Sequence, residues 1–448
     1  MVVEVIVLVV ILAYCFLQKD ERSIVSLFLI LLPFHTFFKS SFHYFLEGGE
    51  LFSAWKEAAI LILAYRVFGN THLRINRLVF VLAVAFSILI SGYFFAAKAY
   101  VDALPALRDH LFPALLFFAV AGMKQDQRLI RKFIFILAVS VFISDLAGFA
   151  QYFFFKVPVA RIMDTAAWID PSGYIHYRIS SYRIMGIERM SGITGSPNIF
   201  GLFNAFAVIL FFGILLFRAS FPFNRKQMRF MQLVLFVSVI SLLLSFSRAG
   251  WAIALFGSGI LLLYRNFHVR IKYMLSSALL LVALAMVMSV FYPQGFSVIS
   301  GSLSGEEASA AARSSSVMKG IRMLLDEPWG HGLGTTDNRK ETVSFFVESA
   351  WMNIGYEIGI AGVIYLICMH FVILYFLIKH AQNDALARIA VAISSATLMA
   401  GLVSVNPYGM PYIYLWWFML ALGMKRAINA AAYTRDDVYC QVPYVDVL

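Results

Sequence analysis

Long apolar runs separated by short polar segments occupy almost the whole chain. A helix needs about 20 apolar residues to cross a bilayer. Runs approaching that length lie near 2–17, 23–38, 50–66, 78–96, 103–122, 130–155, 192–217, 229–246, 249–264, 273–292, 349–378, 386–404 and 411–424. The first and last are short, so the pattern predicts about 12–14 transmembrane helices. The stretch 231–264 tests the division most directly. As one helix it would be about 51 Å long at 1.5 Å per residue, against a hydrocarbon core of about 30 Å. Two spans joined by a tight turn fit instead, and Ser, Arg and Gly cluster for that turn between Ser245 and Gly250.

The polar segments alternate in character. QKDER, YRVFGNTHLRINR, GMKQDQRLIRK, FRASFPFNRKQMR, YRNFHVRIK and the surroundings of KHAQNDALAR are short and mostly basic. Short basic loops stay in the cytoplasm, and MKRAINAAAYTRDD after the last run belongs with them. The intervening loops fall on the outer side, including two long ones at 156–191 and 293–348. MVVEVIVLVVILAYCFLQKDER lacks a basic segment ahead of its apolar run and a small-residue cleavage site. It reads as a first span with its N-terminus outside, not as a cleaved signal. Residues 1–448 are therefore expected to form one all-α polytopic domain, with short helices in the 293–348 loop and a polar cytoplasmic tail at 430–448.

Composition agrees with this reading. The chain is 61% hydrophobic and 14% charged, where a soluble domain is about half apolar and a quarter charged. A net charge of +11 could point to nucleic acid, but the basic residues sit in short loops between spans, which is positive-inside bias. Cys15 and Cys368 fall in apolar runs and Cys440 in the tail, so no disulfide framework or metal cluster is implied.

The candidate chemistry lies on the outer side. Arg248, in SLLLSFSRAGWAIA, falls at the turn and not at mid-membrane, where a cation costs roughly 2.5–3.5 kcal/mol. The first outer loop ends in RISSYRIMGIERMSGITGSPNIFGLFNAF, with Arg178, Arg183 and Arg189 ahead of a helix start at Ser196, Pro197 and Asn198. Ser suits the N-cap and Pro the first helical position. Arginine beside a helix N-terminus suits an anion, phosphate above all. In the second outer loop, 313–325 predicts a short interfacial helix. Arg313, Ser316 and Gly320 lie near one face, Met318, Ile321 and Leu325 line another, and Lys319 and Arg322 add charge. EPWGHGLG follows as a Pro/Gly turn carrying His331. The run 346–378 is too long for one straight span, so its first turns are expected above the bilayer, placing Glu348 among the arginines. Glu357 is nine residues on, about half a turn round, which disfavours a paired-carboxylate mechanism with Glu348. Trp329 and Trp351 are the tryptophans to test for ligand contact, against an interfacial anchoring role. Asp145 and the Arg108, Asp109, His110 cluster are ionisable residues expected to pair within the bundle or, for Arg108, to lie near the outer surface.

ERMSGITGSPNIFG, SFSRAGW, RSSSVMKGIRMLLDEPWGHGLG and ESAWMNIGYEIGIAG, in this order over about 180–375, resemble the O-antigen polymerase and O-antigen ligase superfamily of bacterial membrane glycosyltransferases. The resemblance implies a GT-C-like helical fold in the inner membrane, with a periplasmic active site and a metal-independent, cofactor-free reaction. The donor and acceptor it implies are glycans on undecaprenyl diphosphate, with a chain-length regulator as a protein partner. By resemblance, Arg248 and Arg313 bind the donor diphosphate and act in catalysis, and Arg189 is a further basic position in the same role. Arg183, Asn198, Ser247, Lys319, Arg322, His331 and Trp351 are candidate supporting residues. The ligase branch carries a His-Asn pair nine residues before the Glu of its Glu-x-Gly segment; here Glu348 and Ser349 stand there. That departure favours a polymerase with Glu348 as the group acting on the acceptor hydroxyl. A ligase acting on lipid A-core stays open, as does a non-enzymatic lipid-linked glycan flippase.

Overall fold

The computed structural model describes residues 2–18, 20–46, 49, 51–70, 73–95, 100–155, 187–265, 308–336, 349–404 and 409–433, with short strand segments at 168–169, 175–176, 183–184 and 444–447. The helices are α1 (Val2–Leu17), α2 (Glu21–Leu31), α3 (His35–Leu46), α4 (Trp55–Asn70), α5 (Arg77–Phe95), α6 (Tyr100–Gly122), α7 (Gln127–Phe153), α8 (Pro197–Leu216), α9 (Arg225–Leu244), α10 (Arg248–Leu263), α11 (Ala308–Asp326), α12 (Ala350–Ala381), α13 (Ala385–Val403) and α14 (Tyr412–Tyr433). A 3-10 turn at Leu32–Phe34 fuses α2 to α3, so the two make one 25-residue apolar span, Glu21–Phe45. Among the described residues, seven helices are long and apolar enough to cross a membrane, and Val3–Leu17, Val84–Phe95 and Arg248–Leu263 are shorter apolar helices. The protein is an all-α polytopic membrane protein. The expected span at 273–292 lies outside the described residues.

Polar caps set the helix starts where the apolar runs begin. Asp126 accepts from the Leu129 N–H, Asp384 from those of Leu386 and Ala387, and Asn224 forms a capping box with Gln227. Each satisfies donors that the first helical turn leaves unpaired. α8 is the central element: it is buried along nearly its whole length and packs on α9, α10 and α13. A helix apolar all round belongs in such a place.

Short antiparallel strand pairs complete the fold. Leu73–Asn76 (β1) pairs with Tyr444–Val447 (β6), so the expected tail includes a strand docked ahead of α5, and α14 runs on to Tyr433. In the first long loop, Trp168–Ile169 (β2) pairs with Ile175–His176 (β3), and Arg183–Ile184 (β4) with Ile187–Glu188 (β5).

Candidate functional site

The turn predicted between Ser245 and Gly250 is present, and it gathers the first group of candidate residues. α9 ends at Leu244 and α10 begins at Arg248. Phe246 turns the chain with a φ of 47°, a conformation unfavourable for a bulky residue. Its side chain is buried, and its carbonyl accepts from Arg189. The Arg189 guanidinium donates from Nε to the Ser245 carbonyl at 2.9 Å, and from Nη2 to the Phe246 carbonyl at 3.2 Å and Asn198 Oδ1 at 2.6 Å. The last carbonyls of a helix lack intrahelical partners, and a cation there also suits the helix dipole. Arg189, only 7% exposed, therefore braces the turn to the start of α8.

Ser247 caps α10, its hydroxyl accepting from the Gly250 N–H at 3.3 Å and donating to the Asn198 carbonyl at 3.4 Å. Ser196 holds the N-cap backbone position of α8, with Pro197 in the first turn, but its side chain makes no cap hydrogen bond. Two helix N-termini thus lie side by side. Glycine permits this approach: a Cβ on Gly201 would sit 2.2 Å from Ser247 Cβ, and one on Gly250 would sit 2.7 Å from the Gly201 carbonyl oxygen. Arg248 opens α10 at this junction, partly buried. A guanidinium and two N-terminal dipoles at one place favour an anion.

The second group forms where α12 breaks. Its 32 residues contain Gly359 at φ 71° and ψ −179°, so the run expected to be too long for one straight span is divided there. A break frees backbone groups that must find partners. The loop after α11 supplies them. His331 N–H donates to the Tyr356 carbonyl at 2.7 Å, Gly332 N–H to the Glu357 carbonyl at 3.0 Å, and Ile360 N–H to the Pro328 carbonyl at 2.9 Å. The backbones meet at Gly330 and Gly359: a Cβ on the first would lie 2.5 Å from Gly359 N, and one on the second 2.4 Å from the Pro328 oxygen. EPWGHGLG is thus the plug for the break in YEIGIAG. His331 is part of the plug; it stacks on Tyr356 with centroids 3.8 Å apart, and its Nε2 lies 2.8 Å from Glu327 Oε2.

Glu357 is the residue that sequence reasoning set aside. Its Oε1 accepts from Thr336 Oγ1 at 2.7 Å, and its Oε2 lies 3.8 Å from His110 Nε2 of α6. No local pattern links His110 to Glu357. The one available signal was a glycine two residues after a glutamate inside an apolar run, which marks a backbone irregularity.

The other candidates separate. α11 packs on α12, while α10 packs on α8 and α13, so Arg313 and Arg248 come from different elements. α11 is longer than the predicted 313–325 helix, and its Met318, Ile321 and Leu325 are exposed, as are Lys319 and Arg322. Arg183 lies in β4, in register with Glu188. Glu348 and Arg178 lie outside the described residues. Trp351 is a correction. It is 4% exposed, packs on Gly401 and donates its indole N–H to the Leu398 carbonyl at 3.2 Å. α13 covers most of it, where the sequence reading has it exposed in the outer region. Trp329 is exposed, and its carbonyl accepts from the Tyr93 hydroxyl at 2.7 Å. Arg108 pairs within the bundle as expected, its Nε 3.4 Å from Glu57 Oε1 and 3.0 Å from Asp109 Oδ1. Asp145 is buried and accepts from Ser238 at 2.9 Å. Among the described residues, no group of three His, Cys, Asp or Glu side chains could hold a metal ion.

Fold and site together define a multi-pass membrane protein that collects arginine, helix N-termini and a plugged helix break around its loops. Residues 233–367 match the family model described as O-antigen ligase. The match covers less than a third of the chain, and over that segment the protein is similar to the O-antigen ligase family. The matched segment runs from within α9 through the Arg248 turn, α11 and the plug to the part of α12 beyond its break. Among curated proteins, no relative matches the chain.

Proposed function

We propose that this protein polymerises undecaprenyl-diphosphate-linked oligosaccharide repeats at the periplasmic face of the bacterial inner membrane. The observation that carries the reading is Arg248 at the meeting of two helix N-termini, inside the segment that matches the family. A hydroxyl of the acceptor repeat attacks the anomeric carbon of the donor glycan. The bond from that carbon to the diphosphate oxygen breaks, and undecaprenyl diphosphate leaves with the electron pair. The hydroxyl proton passes to a base, for which Glu348 is proposed. Charge grows on the leaving diphosphate, so cations already in position are the useful catalyst. Arginine suits the task because its fork binds phosphate oxygens in pairs and stays protonated. Arg248 is proposed as one arm of the clamp and Arg313, on α11, as the other, with no metal required. Arg189 serves by holding the turn that presents Arg248.

The description of the matched family favours one second reading, a ligase that moves the glycan to lipid A-core. Purified protein with its lipid-linked repeat, EDTA and no lipid A-core separates the two. A product ladder that disappears in Arg248→Ala is the expected result. Transfer only after lipid A-core is added would make the protein a ligase. Neither product would overturn both and leave the flippase reading.

A further inference from the structure

Three helices meet next to the Arg248 turn in a polar layer that the proposed reaction does not use. A Cβ on Gly148 of α7 would sit 3.0 Å from Phe200 Cζ of α8, and one on Gly201 of α8 would sit 2.7 Å from the Ser245 hydroxyl at the end of α9. Residues three or four apart share a helix face. One turn before Gly148 stand Ser144 and Asp145, one turn after Phe200 and Gly201 stands Asn204, and one turn before Ser245 stands Ser241. Ser238, three residues before Ser241, ties the layer together, because its hydroxyl donates to Asp145 Oδ2 at 2.9 Å. Ser241 and Asn204 lie against the same carboxylate.

All five side chains are fully buried. Asp145 is eight residues from the end of α7 at Phe153, about 12 Å along the helix. A carboxylate buried at that depth is costly unless it is paired, and no cationic side chain among the described residues pairs with it. A separate observation points to a ligand. Asp145 Oδ1, Asn204 Oδ1 and the hydroxyls of Ser144 and Ser241 have no hydrogen-bond partner among the described residues, whereas most buried polar atoms find one. Asn204 Nδ2 donates to the Phe200 carbonyl at 3.1 Å. That bond fixes the amide with its oxygen as the free atom, because a flipped amide would set oxygen against oxygen.

We infer that Asp145, Asn204 and Ser241 form a binding site for a monovalent cation, sodium in particular, which ties α7, α8 and α9 together beside the turn. Charge selects the ion. One carboxylate balances one positive charge, whereas a divalent ion would leave a net charge buried at high cost. Carboxylate, amide and hydroxyl oxygens are the ligands of hard cations. A proton on Asp145 would serve at most one further oxygen, and a cation serves all of them at once. Ser238 sets the carboxylate from its other oxygen. The layer adjoins the turn directly. Ser245, whose carbonyl Arg189 holds, is four residues beyond Ser241, and Asn198, held by Arg189 and Ser247, is six residues before Asn204. The cation thus supports the packing that presents Arg248 and takes no part in glycan transfer.

The test uses the full chain in detergent, freed of sodium in choline chloride, with radiolabelled sodium as the probe. Equilibrium binding to the wild type is expected to saturate at one ion per chain and to be competed by unlabelled sodium but not by choline. Asp145→Asn keeps the shape of the side chain and removes its charge, and it should abolish binding. Ser238→Ala removes only the hydroxyl that sets the carboxylate, so it serves if Asp145→Asn does not fold. It should weaken binding about tenfold, the scale of losing a group that orients a ligand. Replacing choline by sodium at constant ionic strength should raise the unfolding temperature of the wild type and leave that of Asp145→Asn unchanged, as binding to the folded state alone requires. No saturable binding at millimolar sodium, or equal binding by wild type and Asp145→Asn, would overturn the site and leave Asp145 a neutral, protonated member of the core. Displacement of sodium by magnesium at equal concentration would overturn the assignment to a monovalent ion. None of these readings uses turnover, so the site stands or falls apart from the polymerase reading.

Discussion

Arg189 and Arg248 look alike in the sequence, two arginines near predicted helix starts, and we propose different work for them. The Arg189 guanidinium spends three hydrogen bonds on Ser245, Phe246 and Asn198. Hydrogen bonds to a charged group contribute about 1.5–3 kcal/mol each, and their loss leaves buried carbonyls unpaired. Arg189→Ala should therefore cost about 3 kcal/mol or more of stability, read as a clear fall in thermal unfolding temperature. Arg248→Ala should be read in turnover, with a loss of about 10²-fold, the scale of removing one preorganised charge-stabilising donor. Normal turnover by the correctly inserted variant would refute the place of Arg248 in the clamp. The same scale explains Trp351: sequence placed it near the outer region, but a buried partner, the Leu398 carbonyl, claims its N–H.

At the scale of elements, the break in α12 and the loop that plugs it form one unit. Gly359 adopts a positive φ, and its missing Cβ leaves room for the Pro328 carbonyl. Alanine there would hold a positive-φ, extended-ψ conformation that is essentially reserved for glycine, at a cost of roughly 1–3 kcal/mol, and its methyl group strikes the loop. Gly359→Ala should release residues 327–336 from α12, seen as faster proteolysis within that loop and as lost turnover. Unchanged proteolysis would mean that the loop is held by other contacts. Sequence marked both halves of this unit, as a Pro/Gly turn and as a run too long for one span. It could not join them, because the pairing runs through backbone groups exposed only when the helix breaks.

At the scale of the molecule, the alternation of basic and non-basic loops predicts that the plug and the α8–α9 connection lie on opposite sides of the membrane. Trp329 is exposed on the plug, and Arg218 and Lys226 flank the other loop and are exposed too. In a background with Cys15, Cys368 and Cys440 replaced, Trp329→Cys should react with a membrane-impermeant maleimide in cells whose outer membrane alone has been permeabilised. Lys226→Cys should react only after the inner membrane is opened. The reverse pattern would invert the topology and remove the periplasmic site from the proposal.

The sequence by itself determined the class and the course of the chain. Apolar run length against bilayer thickness placed the helices and located the turn at Arg248, because it is a local property of the chain. Tertiary structure decided what those local rules cannot reach. The approach of α8 to α10 depends on Gly201 and Gly250 meeting across two helices. The partners of Arg189 are carbonyls that appear only when α9 ends. Glu357, judged from helical spacing to face away from Glu348, has its partners on α6 and the plug loop. Packing alone brings such distant residues together, and their chemistry becomes legible only once it has.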